Sequence, residues 1–195
     1  MTPPPQPQAQ AQFTAEEYLA WERESEGRHE YLAGEVFAMT GAKDAHVTVA
    51  GNLFALLLTH LRGNPCRVFI SDMKLRVKAV DAFFYPDVMV TCHPDDRSPE
   101  RENFKEHPLL VAEVLSDSTA GYDRGRKFAC YREIPELREY LIIDPDALSV
   151  DLYRRREDGH WVLYPSTAGD GVELTSIELT FPIEALYEEV EHQTM

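Results

Sequence analysis

One stretch constrains this chain more than any other. Leu109-Leu110-Val111-Ala112-Glu113-Val114-Leu115 is apolar except for a single carboxylate. A continuous apolar run of this length reads as a strand buried on both faces, which needs cover on either side of its sheet. An ionised acid inside such a run is costly unless it is paired or binds a metal. Phe84-Tyr85-Pro86-Asp87-Val88-Met89-Val90 repeats the theme, with Asp87 directly after Pro86. Taken singly, each acid is equally readable as a solvated strand end. Taken together on consecutive strands, Asp87 and Glu113 suit a hard cation such as Mg2+, which prefers carboxylate oxygens and retained waters.

A third element follows Glu113. Asp123-Arg124-Gly125-Arg126-Lys127 opens a helix expected over 122–134, stopped by Pro135. Asp123 and Lys127 are four residues apart and share a helix face. The pair is either a surface ion pair worth a few tenths of a kcal/mol, or it places the Lys127 ammonium over the carboxylates, where it orients a water and neutralises phosphoryl charge.

The rest of the pattern predicts a mixed α/β (α+β) chain with one central sheet. Residues 1–12, rich in Pro, Gln and Ala, predict a disordered tail, and 13–195 a single folded domain. Thr14 and Glu17 form a capping box for a helix carrying Tyr18, Leu19 and Trp21, ending near Gly27. Residues 31–39 read as a hairpin around Gly34. Residues 44–61 carry the clearest helical periodicity, through Val47, Ala50, Leu53, Phe54, Leu57, Leu58 and Leu61. Strands are expected at 67–70, 74–78, 84–90, 109–115 and 139–143. A hairpin spans 149–164 around Asp158-Gly159, and a short strand near 172–174 precedes a short acidic helix near 183–190.

Composition removes several classes. Thirty-four acids against 19 Lys and Arg leave a net charge of −15, which argues against a general electrostatic nucleic-acid binder or an anionic-membrane protein. The charge is uneven. Residues 1–60 carry eight acids and three bases, 61–135 carry twelve of each, and 136–195 carry fourteen and four. The segment holding Asp87, Glu113 and Lys127 is therefore neutral. No apolar run approaches a membrane span, and Met1-Thr2-Pro3-Pro4-Pro5 lacks the pattern of a signal peptide, so a cytoplasmic location is expected. Cys66, Cys92 and Cys130 are odd in number and widely spaced, which reads as reduced, mostly buried thiols. A Gly-rich phosphate loop, a nucleophile elbow and a His-Glu-x-x-His motif are all missing.

At this point the residues resemble a known family. Asp87, Glu113 and Lys127, in strand, strand, helix order, look like the site of a PD-(D/E)XK nuclease. The chain more closely resembles the Uma-type restriction endonuclease family, a bacterial branch of that superfamily. The matching stretches are Tyr31-Leu32-Ala33-Gly34-Glu35, His46, Tyr85-Pro86-Asp87-Val88, Glu113-Val114-Leu115-Ser116, Ser118-Thr119, Asp123-Arg124-Gly125-Arg126-Lys127 and Tyr140-Leu141-Ile142-Ile143-Asp144-Pro145. The resemblance implies a restriction endonuclease-like core, a central mixed sheet flanked by helices, with an added N-terminal helix-hairpin and C-terminal β-hairpin. It implies Mg2+-dependent hydrolysis of DNA phosphodiester bonds, with Mn2+ as a possible substitute, the metal being held by Asp87, Glu113 and the backbone carbonyl of Val114. The superfamily places a lysine two residues after the glutamate, where this chain has Leu115; the simplest repair moves that function to Lys127.

Several accessory candidates remain open. Glu35 is a third carboxylate or a solvated hairpin position. His46 is a phosphate contact, an acid/base group or, slightly favoured, a structural histidine. Asp123 belongs to the Lys127 pair. Asp72 is a turn acid or a neighbour of the metal. Ser118 and Thr119 cap a helix whose N-terminus could receive a phosphate. Lys74, Arg76 and Lys78 form a solvated edge, the favoured reading, or a DNA-facing wall; Arg154-Arg155-Arg156 reads as surface. Loops such as 91–108 are the expected source of specificity. DNA is the expected partner, bound weakly and with metal assistance, by a homodimer that pairs two sites by two-fold symmetry. The alternative, motivated by Leu115 and the acidic charge, is a catalytically silent nuclease fold serving as a binding or assembly module.

Overall fold

A computed structural model describes residues 12–116 and 120–190. The chain begins with helix α1 (Ala15–Glu24), strands β1 (His29–Leu32) and β2 (Glu35–Ala38), and helix α2 (Asp44–His60). Strands β3 (Arg67–Ile70), β4 (Lys74–Val77), β5 (Ala82–Phe84), β6 (Val88–Thr91), β7 (Phe104–Lys105) and β8 (Pro108–Val114) follow. After β8 come α3 (Ala120–Tyr122), a π-helical segment (Asp123–Lys127) and α4 (Phe128–Tyr131). The chain then forms β9 (Glu139–Asp144), β10 (Ser149–Arg155), β11 (Trp161–Thr167), β12 (Gly171–Leu174) and β13 (Leu179–Pro182).

The central sheet has six strands in the order β11-β10-β9-β8-β6-β3. Only the β8–β9 pair is parallel, so the sheet is mixed. Alternation along its inner strands explains why they read as continuous apolar runs. Leu110, Ala112 and Val114 of β8 point to one face, where they meet Val49, Ala50, Leu53 and Leu57 of α2. Val111 points to the other face, against Phe128 and Tyr131 of α4 and against Leu32, Leu75 and Phe84. Those last three belong to a second sheet of five strands, ordered β2-β1-β5-β4-β7, and β12 and β13 form a separate antiparallel ribbon. The expectation of one sheet therefore undercounts. The added N-terminal helix-hairpin supplies two strands of the second sheet and the added C-terminal hairpin, β10–β11, closes one edge of the first.

Several local expectations need correction. The strand expected over 84–90 is two strands in different sheets, β5 and β6, joined by Tyr85-Pro86-Asp87. Pro86 has no N–H to give to a ladder, so the chain changes sheet there. The helix expected over 122–134 is broken by five residues of π-helix, a widening that often marks a functional position. The acidic helix expected near 183–190 is a single 3-10 turn, Ile183–Leu186. In α2 the buried stripe runs through Val49, Ala50, Leu53 and Leu57, while Val47 and Leu58 are exposed.

The cysteines also depart from expectation. Cys66 and Cys92 form a disulfide, and only Cys130 is a free, buried thiol. The sheet register accounts for the pairing: Arg67 of β3 lies opposite Thr91 of β6, so the residues one step further, 66 and 92, face each other with Cα atoms 4.0 Å apart. Spacing along the sequence carries no trace of a register that joins residues 26 positions apart. The expected tail at the N-terminus, up to residue 11, and the Ser118-Thr119 cap lie outside the described residues. No helix among the described residues is long and apolar enough to cross a membrane.

Candidate active site

The β6–β8 register places the two carboxylates. Val88 pairs with Ala112 in antiparallel fashion, so Asp87, one residue before β6, stands opposite Glu113. Residues facing each other in this way have Cβ atoms about 5 Å apart. Asp87 Oδ2 accepts the Val114 N–H at 2.7 Å and lies 3.2 Å from His46 Nε2 on the first turns of α2. Burial works against a charge on His46, but Asp87 and the Val114 backbone outweigh it and raise the imidazole above 6.5.

Glu113 is 3% exposed and occupies the opposite face of β8 from Val114. Its Oε1 accepts the Tyr131 hydroxyl at 2.8 Å and lies 2.9 Å from Lys127 Nζ. The ammonium therefore reaches the carboxylate from the helical segment after β8. Leu115, in the position where the superfamily has its lysine, is buried in the apolar cluster between the sheets. Lys127 Nζ also lies 2.9 Å from Glu30 Oε1 and 3.8 Å from Asp123 Oδ1. Of the two readings of the Asp123–Lys127 pair, the exposed one is excluded: both side chains are about nineteen-twentieths buried, at 4% and 6% exposure.

Lys127 ends the π segment and is buried within it. The segment adds width to one turn of the helix, and Tyr140 O–H donates to the Asp123 carbonyl there at 3.2 Å. Asp123, Lys127 and Tyr131 recur at intervals of four and all three face the sheet. Lys127 also sits 5.7 Å over the Phe84 ring.

The electrostatics of this cluster are lopsided. Glu30, Glu113 and Asp123 surround one ammonium, three carboxyl groups to one cation. Burial pushes Glu113 well above 4.5 despite Lys127, and Asp87 and Asp123 push it further. Burial opposes the Lys127 charge, but Glu113, Glu30 and Asp123 outweigh it and hold the ammonium above 10.5. Burial and the Glu113 charge keep Tyr131 protonated as a hydrogen-bond donor, well above 10. On the His46 side lies a hollow of about 130 Å3 lined by Lys43, His46, Leu115, Ser116, Asp144 and Asp146. That is below the volume of a typical small-molecule pocket and matches a compact polar group.

The hairpin contributes Glu30, and of the two readings of Glu35 the solvated one holds. Glu35 lies on β2, the edge strand of its sheet, and is exposed. Glu30 and Leu32 alternate with Tyr31 on the inner strand β1, so Glu30 shares the face of Leu32, which packs toward the site. Glu30 Oε1 also accepts the Tyr85 N–H at 3.3 Å, and Tyr85 O–H donates to Glu22 of α1 at 2.8 Å. The N-terminal helix-hairpin is thereby fastened to the Tyr85-Pro86-Asp87 segment. The signal for Glu30 was its parity with Leu32, and for Tyr131 its spacing of four from Lys127.

Other candidates fall elsewhere. Asp72 is exposed and pairs with Arg28. Lys74, Arg76 and Lys78 are no open wall. Glu106 lies 3.6 Å from Arg76 and 3.0 Å from Lys78, Lys74 sits over the Tyr85 ring, and β4 lies between β5 and β7. Arg154 departs from its surface reading: it lies on β10, its side chain is mostly buried, and its Nε is 2.9 Å from the fully buried Glu139. The 91–108 loop leaves β6 at the end opposite Asp87, so it starts about 13 Å from the carboxylates along the strand.

Comparison with known proteins agrees with this fold. A solved structure of a putative nuclease belonging to DUF820, from Anabaena variabilis, superposes with a TM-score of 0.72 over 90% of this chain and 98% of its own, at 20% identity. An uncharacterised protein of Synechocystis, slr1290, is 39% identical over 175 residues, covering 90% of this chain and 91% of the relative. A second uncharacterised Synechocystis protein, sll1609, is 37% identical over 151 residues, or 77% of this chain and 85% of its own. The family Uma2, described as "Putative restriction endonuclease", matches residues 15–185. With a restriction endonuclease-like fold and a family match over nearly all of its described length, this chain belongs to the Uma2 family.

Proposed function

We propose that this protein is a divalent-metal-dependent endonuclease that hydrolyses DNA phosphodiester bonds, with Asp87, Glu113 and Lys127 as its catalytic residues. The observation that carries this reading is the 2.9 Å contact between Lys127 Nζ and Glu113 Oε1. In it a lysine from a different element reaches the Glu113 carboxylate, which supports Lys127 as the replacement for the lysine that Leu115 displaces.

The donor set fits a hard cation. The Val114 N–H and His46 both engage Oδ2 of Asp87, and Tyr131 and Lys127 both engage Oε1 of Glu113. The second oxygen of each carboxylate and the Val114 carbonyl are hard oxygen donors of the kind Mg2+ prefers. Bound there, Mg2+ would polarise a phosphate oxygen and make a water more acidic. Lys127 serves as a fixed cation and not as a base, because its surroundings hold the proton on Nζ; it offsets the negative charge that grows on the phosphoryl group. Tyr131 and His46 orient Glu113 and Asp87. Because Glu113 binds its proton unusually tightly, loading the site releases a proton.

The same reading makes DNA engagement weak and metal-assisted, since the chain as a whole carries −15. It also makes a double-strand cut the work of two copies, each with one site; sedimentation with DNA present distinguishes a dimeric from a monomeric nicking enzyme. The primary test is conversion of supercoiled plasmid to nicked circles, with Mg2+ or Mn2+ against EDTA. Wild-type protein nicks only with metal, and Asp87→Asn and Glu113→Ala do not. Equal nicking by wild type and both variants, after matched purification, overturns the proposal.

A further inference from the structure

A second cluster of metal-binding side chains lies at the far end of β6 and β8. One imidazole nitrogen each from His93 and His107 and a carboxylate oxygen of Asp95 all lie within 4.8 Å of one another. The two imidazole rings are 4.2 Å apart between centroids. Both ring nitrogens of His107 are buried, and neither makes a hydrogen bond among the described residues. Glu136 Oε1 lies 3.2 Å from His107 Nδ1. That contact falls outside hydrogen-bond geometry, so neither imidazole nitrogen of His107 is committed to a partner among the described residues, and the nearby carboxylate favours a cation beside the ring.

We propose that His93, Asp95 and His107 form a second metal site, distinct from the Asp87–Glu113 pair, that takes one divalent transition ion of the zinc class. Two imidazoles and one carboxylate suit Zn2+, Co2+ or Ni2+; Mg2+ prefers oxygens alone. Three protein ligands leave a fourth position for water. With bonds of about 2.1 Å, tetrahedral ligands sit ~3.4 Å apart, so the cluster closes by roughly an ångström on binding. The closing falls to Asp95 and His93, whose side chains are 60% and 37% exposed.

The third ligand is already fixed. Asp96, 1% exposed, accepts the His107 N–H at 3.0 Å and the Glu106 N–H at 2.9 Å. Thr91 O–H donates to the His107 carbonyl at 3.0 Å. His93 follows Cys92, which the disulfide ties to Cys66, and its Nδ1 accepts the Asp95 N–H at 3.3 Å in the turn that brings Asp95 back toward the ring. Such pre-positioning is what separates a metal site from exposed histidines that meet by chance.

The test uses the full chain without a histidine tag, stripped with EDTA and desalted. Zn2+ is titrated by calorimetry, and Co2+ by visible absorption. The Asp87→Asn/Glu113→Gln double variant removes the other carboxylate site from the readout. That variant takes up one Zn2+ per chain, and its Co2+ form shows the strong visible bands of a tetrahedral site. Adding Asp95→Asn or His93→Gln weakens Zn2+ affinity at least about tenfold and removes the bands; both positions are exposed enough that folding, checked by circular dichroism, is retained. No Zn2+ uptake by the double variant overturns the proposal, as does unchanged affinity when Asp95 and His93 are replaced.

Discussion

Replacing Lys127 by methionine separates a buried charge centre from a surface ion pair. The ammonium is 6% exposed, lies 2.9 Å from Glu30 and from Glu113, and 3.8 Å from Asp123. Methionine keeps most of the volume but leaves three buried carboxylates with no cation among them. Removing one partner of a buried pair costs about 3–5 kcal/mol, whereas an exposed pair at the same spacing is worth roughly 0–1 kcal/mol. Urea unfolding in EDTA, followed by far-ultraviolet circular dichroism, measures the difference. The loss should fall in the larger range at neutral pH and shrink on acidification, because carboxylates that gain protons no longer repel. Excess Mg2+ should restore part of the stability by supplying the missing positive charge. A loss under about 1 kcal/mol, independent of pH and Mg2+, would show that Lys127 is not the counter-ion of this cluster and would remove the basis for its assigned role.

Four further outcomes follow from the same geometry. Tyr131→Phe deletes one donor to Glu113 and should weaken Mg2+ affinity by about 10–100-fold in calorimetry, with a stability change near 1 kcal/mol. Glu35→Ala should leave plasmid nicking unchanged and stability within about 0.5 kcal/mol, while Glu30→Gln lowers nicking; the reverse order would refute the placement of Glu30. Because Asp87 holds His46 above 6.5 in the folded protein, its stabilising contribution is present below that value and lost as pH rises through the raised pKa. The melting-temperature gap between wild type and His46→Gln in EDTA should therefore be widest in mild acid and close toward alkaline pH. Glu139 is fully buried and accepts from Arg154, Thr175 and Ser176, so Glu139→Ala should cost about 3–5 kcal/mol in urea unfolding without touching the candidate active site.

The parts legible in the sequence are those governed by local or two-residue patterns. Asp87 and Glu113 stood out because an acid in an apolar strand is conspicuous whatever the partners. The capping box at Thr14 and Glu17 is present as read, with Thr14 accepting the Glu17 N–H and Glu17 accepting back, because its geometry is set within one turn. Lys127 could be placed on a helix after Glu113, but the π segment that holds it is announced by no simple periodicity. Glu30 was hidden because its neighbours His29 and Tyr31 make the strand look polar, and only its sheet partner reveals that β1 is covered. The Cys66–Cys92 bond and the split of 84–90 into two strands both depend on which strands become neighbours, a choice made by the whole core. Glu139 opens the strand read over 139–143, but its partners Arg154, Thr175 and Ser176 come from later in the chain and leave no local signal.

The central claim, that Asp87, Glu113 and Lys127 carry metal-dependent phosphodiester hydrolysis, is tested most directly by single-turnover cleavage of end-labelled DNA by Glu113→Gln. Glutamine keeps the shape and the contacts of Tyr131 while removing the charge that holds the metal. At saturating Mg2+, with the fold verified by circular dichroism, the account predicts a rate at least about 1,000-fold below wild type, equivalent to roughly 4 kcal/mol of lost transition-state stabilisation. Cleavage within tenfold of wild type would contradict it.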